Sequence, residues 1–233
     1  MTMNTQCIEF SLLDNARDSI VHAVDLLAYE GEMEPSTKYK RAILAVAHAI
    51  ELLLKERLRR IHPSLIWENV DNFPDLGAKT VSLDKAITRL KRIGGLEFSE
   101  KDEKLIRSIK RTRNAIEHYS WSIASQEAEY IIGTSLSLAI FFSETHLRHT
   151  IMGYGEVTEG MFSDLLASNP HFAQAHSYRQ SEEYKKHVKS KAECAFCKSL
   201  VESNQEACPK CGHWNLLIGD GWLEFDPDDD EPF

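Results

Sequence analysis

The chain of 233 residues has 42% apolar and 27% charged residues, a globular composition that excludes a disordered or fibrous chain. The net charge of −9 argues against an anionic partner, although five acidic residues lie within residues 226–233 alone. No basic start precedes an apolar N-terminal run, and the longest apolar stretch, residues 131–142, is too short to span a bilayer, so we expect a cytoplasmic protein with no membrane association.

Apolar residues at helical spacing predict an all-α helical bundle over residues 1–150. The first helix runs from Phe10 to Tyr29. The second begins after Pro35 and ends before Pro63, and its polar face carries Arg41, His48, Glu51, Lys55 and Arg59. Ser82 caps a third helix that ends at Gly94-Gly95. No strand pattern appears in this part of the chain.

The fourth and fifth helices complete the predicted bundle. Ser99-Glu100-Lys101-Asp102 has the form of a capping box, so a helix begins at about Glu100. Its predicted buried face is Leu105, Ile109, Thr112, Ile116 and Tyr119. The fifth helix, from about Gln126 to His149, is apolar on most sides, which indicates several packing neighbours, a second subunit among them.

Residues 151–189 are predicted to be a helical connector, with helices around 158–167 and 181–189. The change of composition after it predicts a separate small unit over residues 190–225, built on short strands. The final residues, 226–233, are interpreted as an acidic, solvating tail.

Two C-x-x-C pairs predict a structural zinc ribbon in residues 190–225. The ligands are Cys194, Cys197, Cys208 and Cys211. Each tight pair supplies two thiolates, and a tetrahedral site made of four thiolates leaves no open position for a substrate. Metal binding largely provides the folding energy of so small a unit. The sequence leaves open whether the ribbon binds nucleic acid, binds a partner or braces the chain.

The fourth helix carries Arg113 and Asn114 followed by His118 at the end of its most basic run. Asn114 and His118 lie four residues apart on one helix face, whereas Arg113 is about 140° away from His118 around the axis. Lys110 and Arg111 precede them by one turn and are candidates for holding flanking phosphates. Glu51 is a candidate contact for this site, although its place on a polar helix face favours a surface role.

Arg113-Asn114-x-x-x-His118 resembles the signature of the HEPN superfamily, helical bundles with a metal-independent ribonuclease site. The order of the helices over about residues 6–150 resembles that family too. The resemblance implies a homodimer whose two Arg/His sets share a cleft. It also implies RNA as substrate, with the activity of a toxin or anti-phage effector restrained by an antitoxin or regulatory protein.

The resemblance implies a role for each residue. His118 takes the proton of a 2′-hydroxyl or returns one to the leaving 5′-oxygen. Arg113 stabilises charge on the phosphorane, and Asn114 orients the histidine or a phosphate oxygen. The products are a 2′,3′-cyclic phosphate and a 5′-hydroxyl. The alternative is a dimer that binds RNA or a protein partner without cutting, with the ribbon acting as an adaptor.

Overall fold

The computed structural model describes residues 9–28, 33–151, 159–181, 191–193, 200–202 and 210. Within them the α-helices are α1 (Leu12–Ala28), α2 (Pro35–Arg59), α3 (Leu83–Arg92), α4 (Glu100–His118), α5 (Ser125–His146), α6 (Glu159–Ser168) and α7 (Pro170–Gln180). Two short strands, β1 (Lys191–Glu193) and β2 (Leu200–Glu202), follow. The predicted all-helical character of the body is confirmed. None of the described helices combines the length and apolar composition needed to cross a membrane.

Helix α2 is the central element of the described core. Its apolar residues are buried on two sides, against α1 on one and against α3, α4 and α5 on the other. Ile43, Val46, Leu53 and Leu58 are at most 1% exposed. One stripe of polar residues on α2, made up of His48, Glu51 and Lys55, lies on the side that contacts Ser19 of α1 and Arg113 of α4.

Helix α5 is buried on most sides, as its composition predicts, by neighbours within the same chain. It packs against α2, α4 and α7. At Gly133 the α7 segment comes so close that an added Cβ would lie 2.5 Å from Asn169 Oδ1 and 2.7 Å from Phe172 N. Only glycine allows this approach, and a second subunit is not needed to cover the helix.

The predicted connector contains two helices that belong to the body. Met161 and Leu165 of α6 and Phe172 of α7 are buried in the same core as α1 and α5. Helix α7 was not predicted from the sequence. It begins where Asn169 accepts a hydrogen bond from Phe172 N at 2.8 Å and Pro170 occupies the first turn. The helix expected around residues 181–189 lies almost wholly outside the described residues.

Helix α4 is held at its start by its cap and by α7. Ser99 Oγ accepts a hydrogen bond from Asp102 N at 3.1 Å, which confirms the predicted helix start. Asp102 is 3% exposed and forms a 2.7 Å ion pair with Arg179 at the end of α7. Arg179 also donates to Ser137 Oγ of α5 at 3.0 Å. This buried contact joins three helices at the N-terminal end of α4.

Candidate functional site

The three predicted catalytic residues lie in the last two turns of α4. The side chain of Arg113 is 31% exposed, and Asn114 and His118 are exposed. Arg113 faces α2, where its guanidinium binds Glu51. His118 is about 140° away from it around the axis of α4. The two parts of the motif therefore point in different directions from one helix.

Arg113 is held by carboxylates from two helices. Its Nη1 donates to Glu51 Oε2 of α2 at 2.8 Å, and its Nε donates to Glu117, one turn later on α4, at 3.2 Å. Glu51 also accepts from Lys55 Nζ at 2.7 Å, and Lys55 donates in addition to Thr80 Oγ1 at 3.0 Å. The guanidinium is thus fixed relative to α2 by a chain of charged hydrogen bonds.

Glu51 is ionised in this arrangement. Burial raises the pKa of its carboxyl, but the hydrogen bond and charge of Lys55 and the charge of Arg113 lower it by more, and the pKa lies below its ordinary value. A carboxylate held charged beside Arg113 keeps the guanidinium in place at neutral pH. The surface role favoured for Glu51 from the sequence is wrong, since its side chain is 25% exposed and bound to Arg113.

A second histidine lies next to this ion pair. His48 is one turn before Glu51 on α2, and its Nδ1 is 2.9 Å from Ser19 Oγ of α1. Because α1 and α4 both pack on α2, the stripe of His48, Glu51 and Lys55 forms the floor of a polar groove, which we call the α1–α4 groove. In the sequence, the spacing of these three residues on one helix face was the feature that could have indicated His48 as part of the site.

His118 stands at the C-terminal end of α4 beside an exposed tyrosine. The ring centroids of His118 and Tyr119 are 6.4 Å apart in an edge-on arrangement, and Tyr119 is 76% exposed. The prediction that Tyr119 belongs to the buried face is wrong. The helix ends at His118, and the extended backbone of Tyr119 (φ −140°, ψ 172°) directs its side chain away from the core.

The two predicted phosphate-binding residues differ in their surroundings. Lys110 is half-buried and its Nζ lies 2.5 Å from Asp84 Oδ2 at the start of α3. Arg111 is exposed. Lys110 would have to leave Asp84 to hold a phosphate, whereas Arg111 is accessible as it stands.

No protein-family model, curated protein or solved structure matches this chain. The functional evidence is therefore the arrangement of its own side chains.

The predicted zinc ligands, Cys194, Cys197, Cys208 and Cys211, lie outside the described residues. The described strands β1 and β2 pair antiparallel, with Glu193 opposite Leu200. Among the described residues, no group of three or more His, Cys, Asp or Glu side chains could hold a metal ion.

Proposed function

We propose that this protein is a metal-independent endoribonuclease of the HEPN type, with its active site at the C-terminal end of α4. The observation that carries the proposal is the fixed Arg113 guanidinium, bound to Glu51 at 2.8 Å, with Asn114 and His118 exposed on the same two turns. Cleavage of an RNA phosphodiester requires a preoriented cation and an accessible imidazole at the same phosphate.

The chemistry needs no group beyond the RNA and these side chains. The 2′-oxygen attacks the adjacent phosphorus, the bond to the 5′-oxygen breaks, and His118 serves the proton transfers. Arg113 stabilises the negative charge that develops on the phosphorane oxygens. Asn114, four residues before His118, orients the imidazole or a phosphate oxygen. DNA lacks the attacking hydroxyl and is not a substrate.

The active form we propose is a homodimer. Arg113 and His118 are about 140° apart around one helix, so a single α4 offers only part of a cleft. Two copies of α4 meeting across a two-fold axis bring both sets of side chains to one phosphodiester. Light scattering on the purified protein should give twice the 26.6 kDa mass of one chain.

The biological role we propose is that of a toxin or anti-phage effector, kept inactive by an antitoxin or other regulatory protein. The C-terminal residues 190–225 form a structural zinc ribbon in this proposal. We expect expression of the wild-type chain without its partner to slow growth of the host cell. Expression of a His118→Ala variant should not.

The test is cleavage of mixed RNA in the presence of EDTA by the wild type and by His118→Ala and Arg113→Ala variants. We expect wild-type products with 2′,3′-cyclic phosphate and 5′-hydroxyl ends, and a loss of at least about 100-fold in either variant. Matched controls are His171→Ala on α7 and Arg92→Ala at the exposed end of α3, which should cut at the wild-type rate.

Two results would reject the proposed ribonuclease activity. One is a wild type that fails to cut RNA and fails to slow growth, and the other is cleavage that survives in both variants. If RNA binds tightly but stays intact, the non-catalytic alternative is correct. The pairing of Arg113 with two carboxylates would then be a structural ion pair.

A further inference from the structure

His48 is oriented by a defined pair of hydrogen bonds. Ser19 Oγ lies 2.9 Å from the carbonyl oxygen of Asn15 and 2.9 Å from His48 Nδ1. A carbonyl oxygen only accepts, so the single hydroxyl proton of Ser19 is donated to Asn15. Ser19 Oγ therefore accepts from His48, and Nδ1 carries the imidazole proton.

This tautomer leaves Nε2 of His48 with a free electron pair. His48 is exposed at the α1–α4 groove. Glu51, one turn further along α2, binds Arg113 at 2.8 Å, so the imidazole lies beside the guanidinium that is to hold the phosphate. Ser19 of α1 is 8% exposed, and it holds the imidazole through Nδ1, the ring nitrogen other than Nε2.

The surroundings of His48 favour a neutral ring. Partial burial of the ring is the largest effect and lowers the pKa of His48. Glu51 on α2 and Asp18 on α1 raise that pKa, whereas Arg113 on α4 and Lys55 on α2 lower it, and the net direction is downward. A histidine that is neutral at pH 7, with its proton on Nδ1, is prepared to accept a second proton at Nε2.

We propose that His48 is the general base of the site, an inference that rests on the proposed ribonuclease function. Nε2 of His48 takes the proton of the 2′-hydroxyl while the 2′-oxygen bonds to phosphorus. The bond between phosphorus and the 5′-oxygen breaks, and protonated His118 gives its proton to that oxygen. His48 ends protonated and His118 neutral, and exchange with water restores both.

This assignment, with His48 as base and His118 as acid, differs from a site in which the His118 residues of two copies act without His48. In that case one His118 would be the base and the other the acid. The two arrangements respond differently to a leaving group that needs no proton. A substrate with sulfur in place of the bridging 5′-oxygen has such a leaving group, because a thiol, with a pKa of about 8.5, is far more acidic than an alcohol and leaves as the thiolate without being protonated first.

The experiment uses one RNA oligonucleotide with a cleavage site mapped by the wild type, made with oxygen or with sulfur at the bridging 5′ position. We expect His48→Ala to slow cleavage of both forms by about 100-fold. His118→Ala should slow the oxygen form to a similar extent but cut the sulfur form nearly as fast as the wild type. RNA affinity, measured by fluorescence anisotropy, should change less than about twofold in His48→Ala, because the residue accepts a proton and carries no charge toward phosphate.

Three results overturn the inference while leaving the ribonuclease intact. They are a His48→Ala variant that cuts both forms at the wild-type rate, a His118→Ala variant that stays slow on the sulfur form, and rescue of His48→Ala by sulfur. If the wild type cuts no RNA, the proposed function fails and the role of His48 fails with it. His171→Ala is the matched histidine control on α7.

A second variant covers the case in which His48→Ala does not fold, as judged by circular dichroism. Ser19→Ala keeps the imidazole but removes the acceptor that orients it. We expect about tenfold slower cleavage of both the oxygen and the sulfur forms, since a loosely held base is in position for less of the time. Wild-type rates for Ser19→Ala on both forms would overturn the inference.

Discussion

At the scale of single residues, the position of Arg113 depends on one carboxylate from another helix. Glu51 comes from α2 and is partly buried, whereas Glu117 lies one turn away on α4 and is more exposed. An exposed pair within one helix contributes little, because solvent screens it. The pair between helices is the one that sets where the guanidinium stands relative to the groove.

We therefore predict that Glu51→Gln lowers the kcat for RNA cleavage by about ten- to a hundred-fold through misplacement of Arg113, with a smaller change in KM. The matched substitution, Glu117→Gln, should stay within about twofold of the wild type. Steady-state kinetics on the mapped oligonucleotide measures both. Equal losses in the two variants would show that neither carboxylate has a special role.

Tyr119 is a second prediction at this scale. An exposed ring adjacent to His118 can stack on a nucleobase, which contributes about 1–3 kcal/mol to binding. Tyr119→Ala in the His118→Ala background should weaken RNA binding by at least about fivefold, and Tyr119→Phe should retain it. Tyr130→Ala removes a tyrosine that is 52% exposed on α5 and serves as the control. Anisotropy that is unchanged in Tyr119→Ala would exclude stacking.

At the scale of elements, the start of α4 determines how firmly the helix that carries the site is held. Ser99 Oγ accepts from Asp102 N at 3.1 Å and donates to its carboxylate at 2.6 Å. The equivalent bond at the start of α3, from Lys85 N to Ser82 Oγ, is 3.5 Å long. Both serines cap a helix, but the side chain of Ser99 binds the buried Asp102, whereas the side chain of Ser82 binds the backbone of the exposed Lys85.

Ser99→Ala should lower the free energy of unfolding by about 1 kcal/mol and the melting temperature by about 2–4 °C. Ser82→Ala should cost less than half of this, because its hydrogen bond is longer and exposed. Thermal unfolding followed by circular dichroism compares the two variants directly. A larger loss of unfolding free energy in Ser82→Ala than in Ser99→Ala would contradict the conclusion that Ser99 is the stronger cap.

The histidine at the C-terminal end of α5 predicts that the fold loses stability in acid. His146 packs on Phe142 with ring centroids 4.8 Å apart. Burial, as the largest cause, and the charge of Arg57 together lower the pKa of His146 to about 3, against the opposing charge of Asp102. An unfolded histidine has a pKa of about 6.5, so below that pH the unfolded chain binds more protons than the folded one. The contribution to stability is present above pH 6.5 and is lost as the pH falls toward 3.

The measurement is the free energy of unfolding in urea between pH 7 and pH 4 for the wild type and His146→Gln. The wild type should lose up to about 1.4 kcal/mol more per pH unit than the variant in this window. His22→Gln replaces an exposed histidine on α1 and should keep the wild-type slope. Parallel slopes for the wild type and His146→Gln would exclude the His146 ring as the cause.

At the scale of the whole molecule, the described core and the predicted metal site lie in different parts of the chain. The buried core of the described residues runs from Ala16 to Phe172, before the first cysteine pair. We therefore expect the helical body to fold without the metal. Zinc should stabilise residues 190–225 alone.

Elemental analysis of the purified protein should give one zinc ion per chain. Cys208→Ser should lose the metal, because three thiolates no longer close a tetrahedral site, and should keep the helical circular dichroism of the wild type. Cys7→Ser replaces the cysteine outside both C-x-x-C pairs and should retain the zinc. A Cys208→Ser protein that still binds one zinc ion tightly would contradict the ligand set.

The sequence by itself determined the features that depend on residues close together in the chain. Helices α1 to α5 and the caps at Ser82 and Ser99 follow from apolar spacing and from side chains that bond the backbone three residues away. The spacing of Arg113 and His118 is equally local. It predicts two faces of one helix without specifying what lies against either face.

Only the tertiary structure decided which distant side chains meet. Glu51 and Arg113 are 62 residues apart and Ser19 and His48 are 29 apart, and no local pattern encodes such contacts. Tyr119 was misassigned because helical spacing was extended past the residue where the helix ends. The polar contacts of the groove arise because burial of the apolar faces of α1 and α4 on α2 leaves the remaining polar stripe between them.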